Sequence, residues 1–185
     1  MEKRNKIIIG LVGETGSGKD TVANYLKEKH SAKLMRFADP LNETLSLFFE
    51  KYSKQDQQWL VTEFRKRYGN DILCQALAKK LKETGGLVVL NGVRLLEDEK
   101  FIRNLDNSFL FYITANQKLR WKRIHNRGEK ADDNSSFEKF REIEKAITET
   151  HIPKIGSRAD FVIRNEKDLP FLLKSLDEAM KKVLK

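Results

Sequence analysis

The chain has 185 residues, enough for one domain with a buried core of its own. Apolar residues make up 39% and charged residues 34%, which excludes disordered and fibrous classes, and no apolar run approaches the roughly 20 residues that span a bilayer. Lys and Arg outnumber Asp and Glu by 36 to 27, and the net charge of +9 favours anionic partners. Aromatic and basic residues do not interleave along any one strand or helix, so small polyphosphates are expected as ligands and nucleic acid is not.

The basic start before Ile7 is followed by an apolar run too short for a leader and with no small-residue cleavage site, so a cytoplasmic address is expected. Residues 7–12 are apolar throughout and predict a buried strand at the centre of a parallel sheet. A helix over 19–29 follows, with Val22, Ala23 and Leu26 on one face, and then a short strand over 33–37. Leu41, Thr44, Leu45 and Phe48 predict a helix over 41–52, and a second covers 55–68. Ile72, Leu73, Ala76, Leu77 and Leu81 place a helix over 71–83, which Gly85-Gly86 stops. The single cysteine, Cys74, lies on that apolar stripe and reads as core filler; one thiol forms no internal disulfide and suits a reducing compartment.

A third strand is expected over 87–90, a helix over 97–105, a fourth strand over 109–114 and a basic helix over 118–126. Residues 127–134 form a polar stretch. Ser135-x-x-Glu138 reads as a capping box that opens a helix to about residue 150. A fifth strand over 160–164 and a helix over 169–184 close the chain, with Pro170 tolerated in the first turn. This alternation predicts an α/β fold with helices on a mostly parallel sheet, and ligands at the carboxyl ends of the strands.

The sharpest motif is Gly13-Glu14-Thr15-Gly16-Ser17-Gly18-Lys19-Asp20-Thr21. It matches G-x-x-x-x-G-K between an apolar strand and a helix, the context a phosphate loop requires. Its glycines let successive backbone N–H groups converge on one anion, the helix start adds its positive end, and Lys19 supplies a point charge for the β- and γ-phosphates. The ligands expected are ATP and Mg²⁺. Asp20 stands where Ser or Thr normally meets the metal, so Asp20 and Thr21 are the candidate metal residues; the alternative for Asp20 is a helix-start charge.

Arg120, Arg123 and Arg127 fall at i, i+3 and i+7 and can aim three guanidinium groups at one phosphate site; the alternative is a solvated basic face. Arg94 follows a buried strand and either meets a ligand or pairs with Glu97 or Asp98. Asp39 follows the second strand as a base, an acceptor ligand or a metal ligand, or else caps the next helix. Trp59, Tyr68 and Trp121 read as packing residues before base-stacking ones, and His30, His125 and His151 have no zinc spacing.

With Phe37-Ala38-Asp39-Pro40-Leu41-Asn42-Glu43 and Leu90-Asn91-Gly92-Val93-Arg94 through Glu97, the G-K-D loop resembles the P-loop kinase group of deoxynucleoside monophosphate kinases and phosphomevalonate kinase. The segments 123–127, 132–133, 137–140 and 159–165 are similar to dephospho-CoA kinase and its relatives. The resemblance implies a single domain over 1–185 with a three-layer P-loop NTPase fold, a five-stranded sheet, a helical acceptor-binding region at about 38–70 and a lid at about 127–136. It also implies that Arg94 grips the acceptor's phosphate and that Arg123 and Arg127 flank the transferred group. Two positions depart from the group: Asn91 replaces the acid that usually ends the third strand, and Asn42 replaces a frequent lysine.

The expected activity is transfer of the γ-phosphoryl group of ATP to a small phosphate or hydroxyl acceptor, a nucleoside or deoxynucleoside monophosphate first and dephospho-CoA second, by a monomer or homodimer. A regulatory nucleotide-binding ATPase is the alternative of another class. Asn165-Glu166-Lys167-Asp168 has the wrong order for a guanine-reading N-K-x-D, and Asn91-Gly92 lacks the acidic pair of motor or AAA-type ATPases.

Overall fold

A computed structural model of the chain describes residues 6–127, 136–145 and 150–184, without the side chains of Lys54 and Arg127. Five strands form one sheet: β1 Ile7–Val12, β2 Lys33–Arg36, β3 Leu87–Val93, β4 Ser108–Thr114 and β5 Phe161–Arg164. Their order is β2-β3-β1-β4-β5 and every pairing is parallel. The helices are α1 Lys19–His30, α2 Asp39–Ser46, α3 Lys54–Tyr68, α4 Ile72–Lys82, α5 Leu96–Arg103, α6 Gln117–Arg127, α7 Phe137–Ile143, α8 Ile152–Gly156 and α9 Leu169–Val183.

Successive residues of a strand face opposite sides of the sheet, so fully apolar strands supply two cores. On one face Ile8, Val88, Leu90 and Leu110 pack against Leu41 and Leu45 of α2, Leu77 and Leu81 of α4, Ile102 of α5, and Ile152 and Ile155 of α8. On the other, Ile9, Leu11, Val89, Phe111 and Ile113 pack against Val22 and Leu26 of α1 and Leu172, Leu176 and Met180 of α9. This is the three-layer α/β sandwich expected. The strand order reverses at β1, whose neighbours are β3 and β4, and that reversal opens a crevice at its carboxyl end. The phosphate loop begins there. No helix of the described residues is long and apolar enough to cross a membrane.

Several elements differ from their expected bounds. The helix expected over 41–52 begins at Asp39 and ends at Ser46, whose hydroxyl turns back to the carbonyls of Asn42 and Glu43. Leu47, Phe48 and Phe49 then stand exposed, Phe48 at 74%. The start of α3 is fixed by a capping box of Ser53 and Asp56. The third strand runs on from Leu90 to Val93. It continues through a bulge: Leu11 pairs with Asn91 but Val12 pairs with Val93, leaving Gly92 at φ 93° between them. The cap of α7 is Ser136, which accepts from the Lys139 N–H, and the helix ends at Ile143 rather than near 150. The expected Ser135 cap and most of the expected lid lie outside the described residues. Cys74 is buried beside Asp98, and burial pushes its thiol up to about 12, as core filler should be.

Candidate active site

The turn from β1 into α1 makes a site for an anion. Gly18 occupies the cap position of α1 at φ 99° and brings no side-chain acceptor, so the first N–H groups of the helix keep no internal partner. The earliest bond closed onto the turn is from the Val22 N–H to the Gly18 carbonyl, at 3.1 Å. The N–H groups of Lys19, Asp20 and Thr21 therefore remain at the positive end of a helix, where phosphate binds. Gly18 is also held by its neighbour after β5: a side chain there would strike the Asn165 amide.

Lys19 Nζ curls back toward the Glu14 carbonyl at 3.4 Å. Desolvation and the nearby charge of Arg94 bring the ammonium down to about 8, with Asp20 and Glu14 acting the other way and Arg120 adding to the fall. Burial likewise holds the Arg94 guanidinium below its ordinary value, opposed by Asp20 and Asp98. Two desolvated cations facing one crevice attract an anion that neither could hold as tightly in water.

The β3 bulge aims Asn91 and Arg94 at this crevice. Asn91 Nδ2 donates to Asp20 Oδ1 at 2.7 Å, joining two of the three positions at which the sequence departs from the usual pattern. The Arg94 and Leu95 backbone N–H groups both donate to Asp98 Oδ2 at 3.0 Å, and burial raises the Asp98 carboxyl while Arg65 of α3 opposes it. Arg65 and Arg94 thus share Asp98 as an electrostatic neighbour. Arg65 was not singled out by its sequence, where it is one of several basic residues at the end of α3.

The expected arginine row divides. Arg120 is 6% exposed and committed to the structure: Nε donates to the Ala115 carbonyl at 3.1 Å, Nη1 donates to the Thr15 carbonyl at 3.1 Å and also bonds Glu144. It ties α6 to the phosphate loop. Arg123 Nη2 donates to the Asn165 carbonyl at 2.9 Å, and Asn165 Nδ2 donates to the Ser17 carbonyl at 2.8 Å. Arg123 therefore reaches the loop through Asn165. The Arg127 side chain lies outside the described residues. In the sequence Asn165 stands within a misordered motif and at the end of the 159–165 resemblance, not as a site residue; its buttressing role depends on β5 lying two strands from β1, which no local pattern announces.

Asp39 caps no helix with its side chain. Its Oδ2 accepts from the Arg36 N–H at 2.7 Å, so the carboxylate closes the end of β2. Glu14 accepts from the Tyr112 hydroxyl, and burial with this bond pushes the phenol up to about 12. Trp121 packs edge-on against Phe137, as expected, whereas Trp59 is 63% exposed and packs little.

Six buried side-chain polar atoms among the described residues lack a partner, and five belong here: Glu14 Oε2, Ser17 Oγ, Asn91 Oδ1, Arg123 Nη1 and Arg65 Nε. Buried polar atoms are nearly always satisfied, so the four orphans on or beside the loop mark a ligand site, with Arg65 Nε a fifth on α3 beside Asp98. No group of three or more His, Cys, Asp or Glu among the described residues is placed to hold a metal alone. Magnesium fits such a place, because it binds through one or two protein oxygens and completes its shell with phosphates and water.

The family described as an AAA domain matches residues 9–147, three quarters of the chain. The chain belongs to the AAA domain family. The match concerns the domain; the expectation drawn from Asn91-Gly92 concerned a motor or AAA-type ATPase activity, which a family match does not decide. This AAA domain is 25% identical over 179 residues to the UPF0200 protein of Sulfurisphaera tokodaii, covering 96% of this chain and 97% of that one. It is 28% identical over 178 residues to the UPF0200 protein of Pyrobaculum aerophilum, covering 96% of each. The shikimate kinase of Bacteroides thetaiotaomicron superposes with a TM-score of 0.66 at 12% identity, over 97% of this chain and 99% of that one. At that identity the likeness is one of fold, and it places this AAA domain among P-loop kinase-like structures.

Proposed function

We propose that the chain is an ATP-dependent phosphotransferase that passes the γ-phosphoryl group to a small anionic acceptor, a nucleoside or deoxynucleoside monophosphate. The observation that carries this is the cluster of unsatisfied buried polar atoms around the phosphate loop, together with Lys19 and Arg94 desolvated at its mouth. The N–H groups at the start of α1 hold the polyphosphate, and Lys19 places charge on its terminal groups. Magnesium, held beside Asp20, would supply Lewis-acid charge to the phosphate oxygens. Arg94 faces the phosphoryl group from the β3 side. Phosphoryl transfer needs such positioning and charge more than covalent help.

Two features favour a phosphate acceptor over a hydroxyl one. Arg65 and Arg94, grouped around Asp98, match an anionic acceptor. Asp39, the candidate base, is engaged with the Arg36 N–H, and an ionised phosphate acceptor needs no base. Leu47, Phe48, Phe49 and Trp59 on the α2–α3 segment give the acceptor region exposed apolar surface that an organic acceptor would cover. A screen with γ-labelled ATP tests this against nucleoside and deoxynucleoside monophosphates, dephospho-CoA, phosphomevalonate and shikimate. Label is expected on a monophosphate. Label only on a hydroxyl acceptor, or only in free phosphate, would contradict it.

A further inference from the structure

Asp20 in the phosphate loop and Asn91 at the end of the third strand each depart from a usual pattern, and the two are in contact. Asp20 occupies the position of a metal-binding hydroxyl, and Asn91 that of the strand-end acid. Asn91 Nδ2 donates to Asp20 Oδ1 at 2.7 Å, and the amide can be oriented only this way because an ionised carboxylate accepts and does not donate. Asn91 is 4% exposed, and its Oδ1 is buried with no donor. An oxygen left so costs about 1–3 kcal/mol, so the site is built for a donor that a ligand brings. The Phe37 N–H does not supply it, being engaged with the Asn91 main-chain carbonyl.

We propose that Asp20 and Asn91 have exchanged the usual roles at the metal: Asp20 is the magnesium-side carboxylate, and Asn91 orients it while its Oδ1 accepts from a metal-bound water. The exchange rests on the nucleotide site proposed above. It keeps the local charge of the common arrangement, one carboxylate and one neutral group, but moves the carboxylate from the strand to the first turn of α1. There it also faces Lys19 and Arg94, on both of which it acts electrostatically. A carboxylate that served only as counterion to those cations would influence nucleotide binding equally with and without metal. A metal-side carboxylate adds an effect that appears only when the metal is present.

The test measures binding of a fluorescent non-hydrolysable ATP analogue to the full chain in EDTA and in magnesium, with manganese electron paramagnetic resonance counting bound metal. Wild type is expected to bind more tightly in magnesium. Asp20→Ser loses that gain and the manganese signal, while its affinity in EDTA rises, because a negative charge beside Lys19 and Arg94 is gone. Asn91→Ala weakens the gain about 10–100-fold, the usual cost of removing a partner that orients a ligand. The double variant Asp20→Ser with Asn91→Asp returns the carboxylate to the strand and regains both gain and signal. The exchange is overturned if Asp20→Ser keeps the metal-dependent gain, or if a folded double variant binds metal no better than Asp20→Ser. It is also overturned if wild type binds the analogue equally in both conditions, an outcome that leaves the nucleotide site standing. Absence of binding to wild type in both conditions sinks the nucleotide site as well.

Discussion

Lys19 carries a measurable consequence of its surroundings. Its ordinary value is 10.5, and burial with Arg94 brings it to about 8 in the folded chain. Between those values the unfolded chain holds a proton that the folded chain has released, so this group adds stability as pH rises through about 8 to 10.5. Below that window the charged lysine is a cost to the fold that an anion relieves. Nucleotide binding should therefore take up part of a proton above pH about 8, and affinity should fall as pH rises. Calorimetry in two buffers of different ionisation enthalpy measures the uptake; Lys19→Arg, always charged, should abolish it. Lys19→Ala should abolish phosphoryl transfer with the fold intact, as circular dichroism would report; retained turnover would remove Lys19 from the site. Asn165→Ala leaves the Ser17 carbonyl without its donor and removes the side-chain acceptor of Arg123, whose bond to the Asn165 main-chain carbonyl remains. A loss of about 1–3 kcal/mol is expected, read as a fall in Tm of roughly 2–10 °C.

At the scale of elements, the bulge at Gly92 has no steric cause. A side chain there would meet nothing within 4 Å, so glycine is needed only for its φ of 93°. Gly92→Ala should cost about 1–2 kcal/mol in stability. It should lower turnover further than that loss explains, because Asn91 and Arg94 flank the turn; steady-state kinetics beside a thermal melt separates the two effects. The strands and helices facing the two cores were legible because apolar spacing reports burial directly: Val22, Ala23 and Leu26 lie under α1 as their spacing required. Boundaries were less so. Phe48 fits the apolar stripe of α2, yet Ser46 ends the helix before it and leaves the ring in solvent. Val93 continues β3 past Asn91-Gly92, a pair that reads locally as a stop.

Over the whole molecule, the alternation of strand and helix announced the sheet, and the glycine-rich turn announced the site. What the sequence could not announce were partners far apart along the chain: Asn91 with Asp20, Asn165 with Ser17, Arg120 with Thr15 and Glu144. The contacts at the strand ends, Asn91 with Asp20 and Asn165 with Ser17, depend on the order β2-β3-β1-β4-β5. The +9 charge belongs to this scale too. A small polyphosphate held by few cations should lose little affinity as salt rises, whereas a nucleic-acid site neutralising 6–10 phosphates loses about 10³–10⁵ between 50 and 200 mM salt. A titration of the ATP analogue across that range distinguishes them. The most direct measurement is a crystal structure of the chain with a non-hydrolysable ATP analogue and magnesium. The β- and γ-phosphates are predicted against the N–H groups of Lys19, Asp20 and Thr21, with Lys19 Nζ between them. A nucleotide bound elsewhere, with that turn empty, would contradict the account.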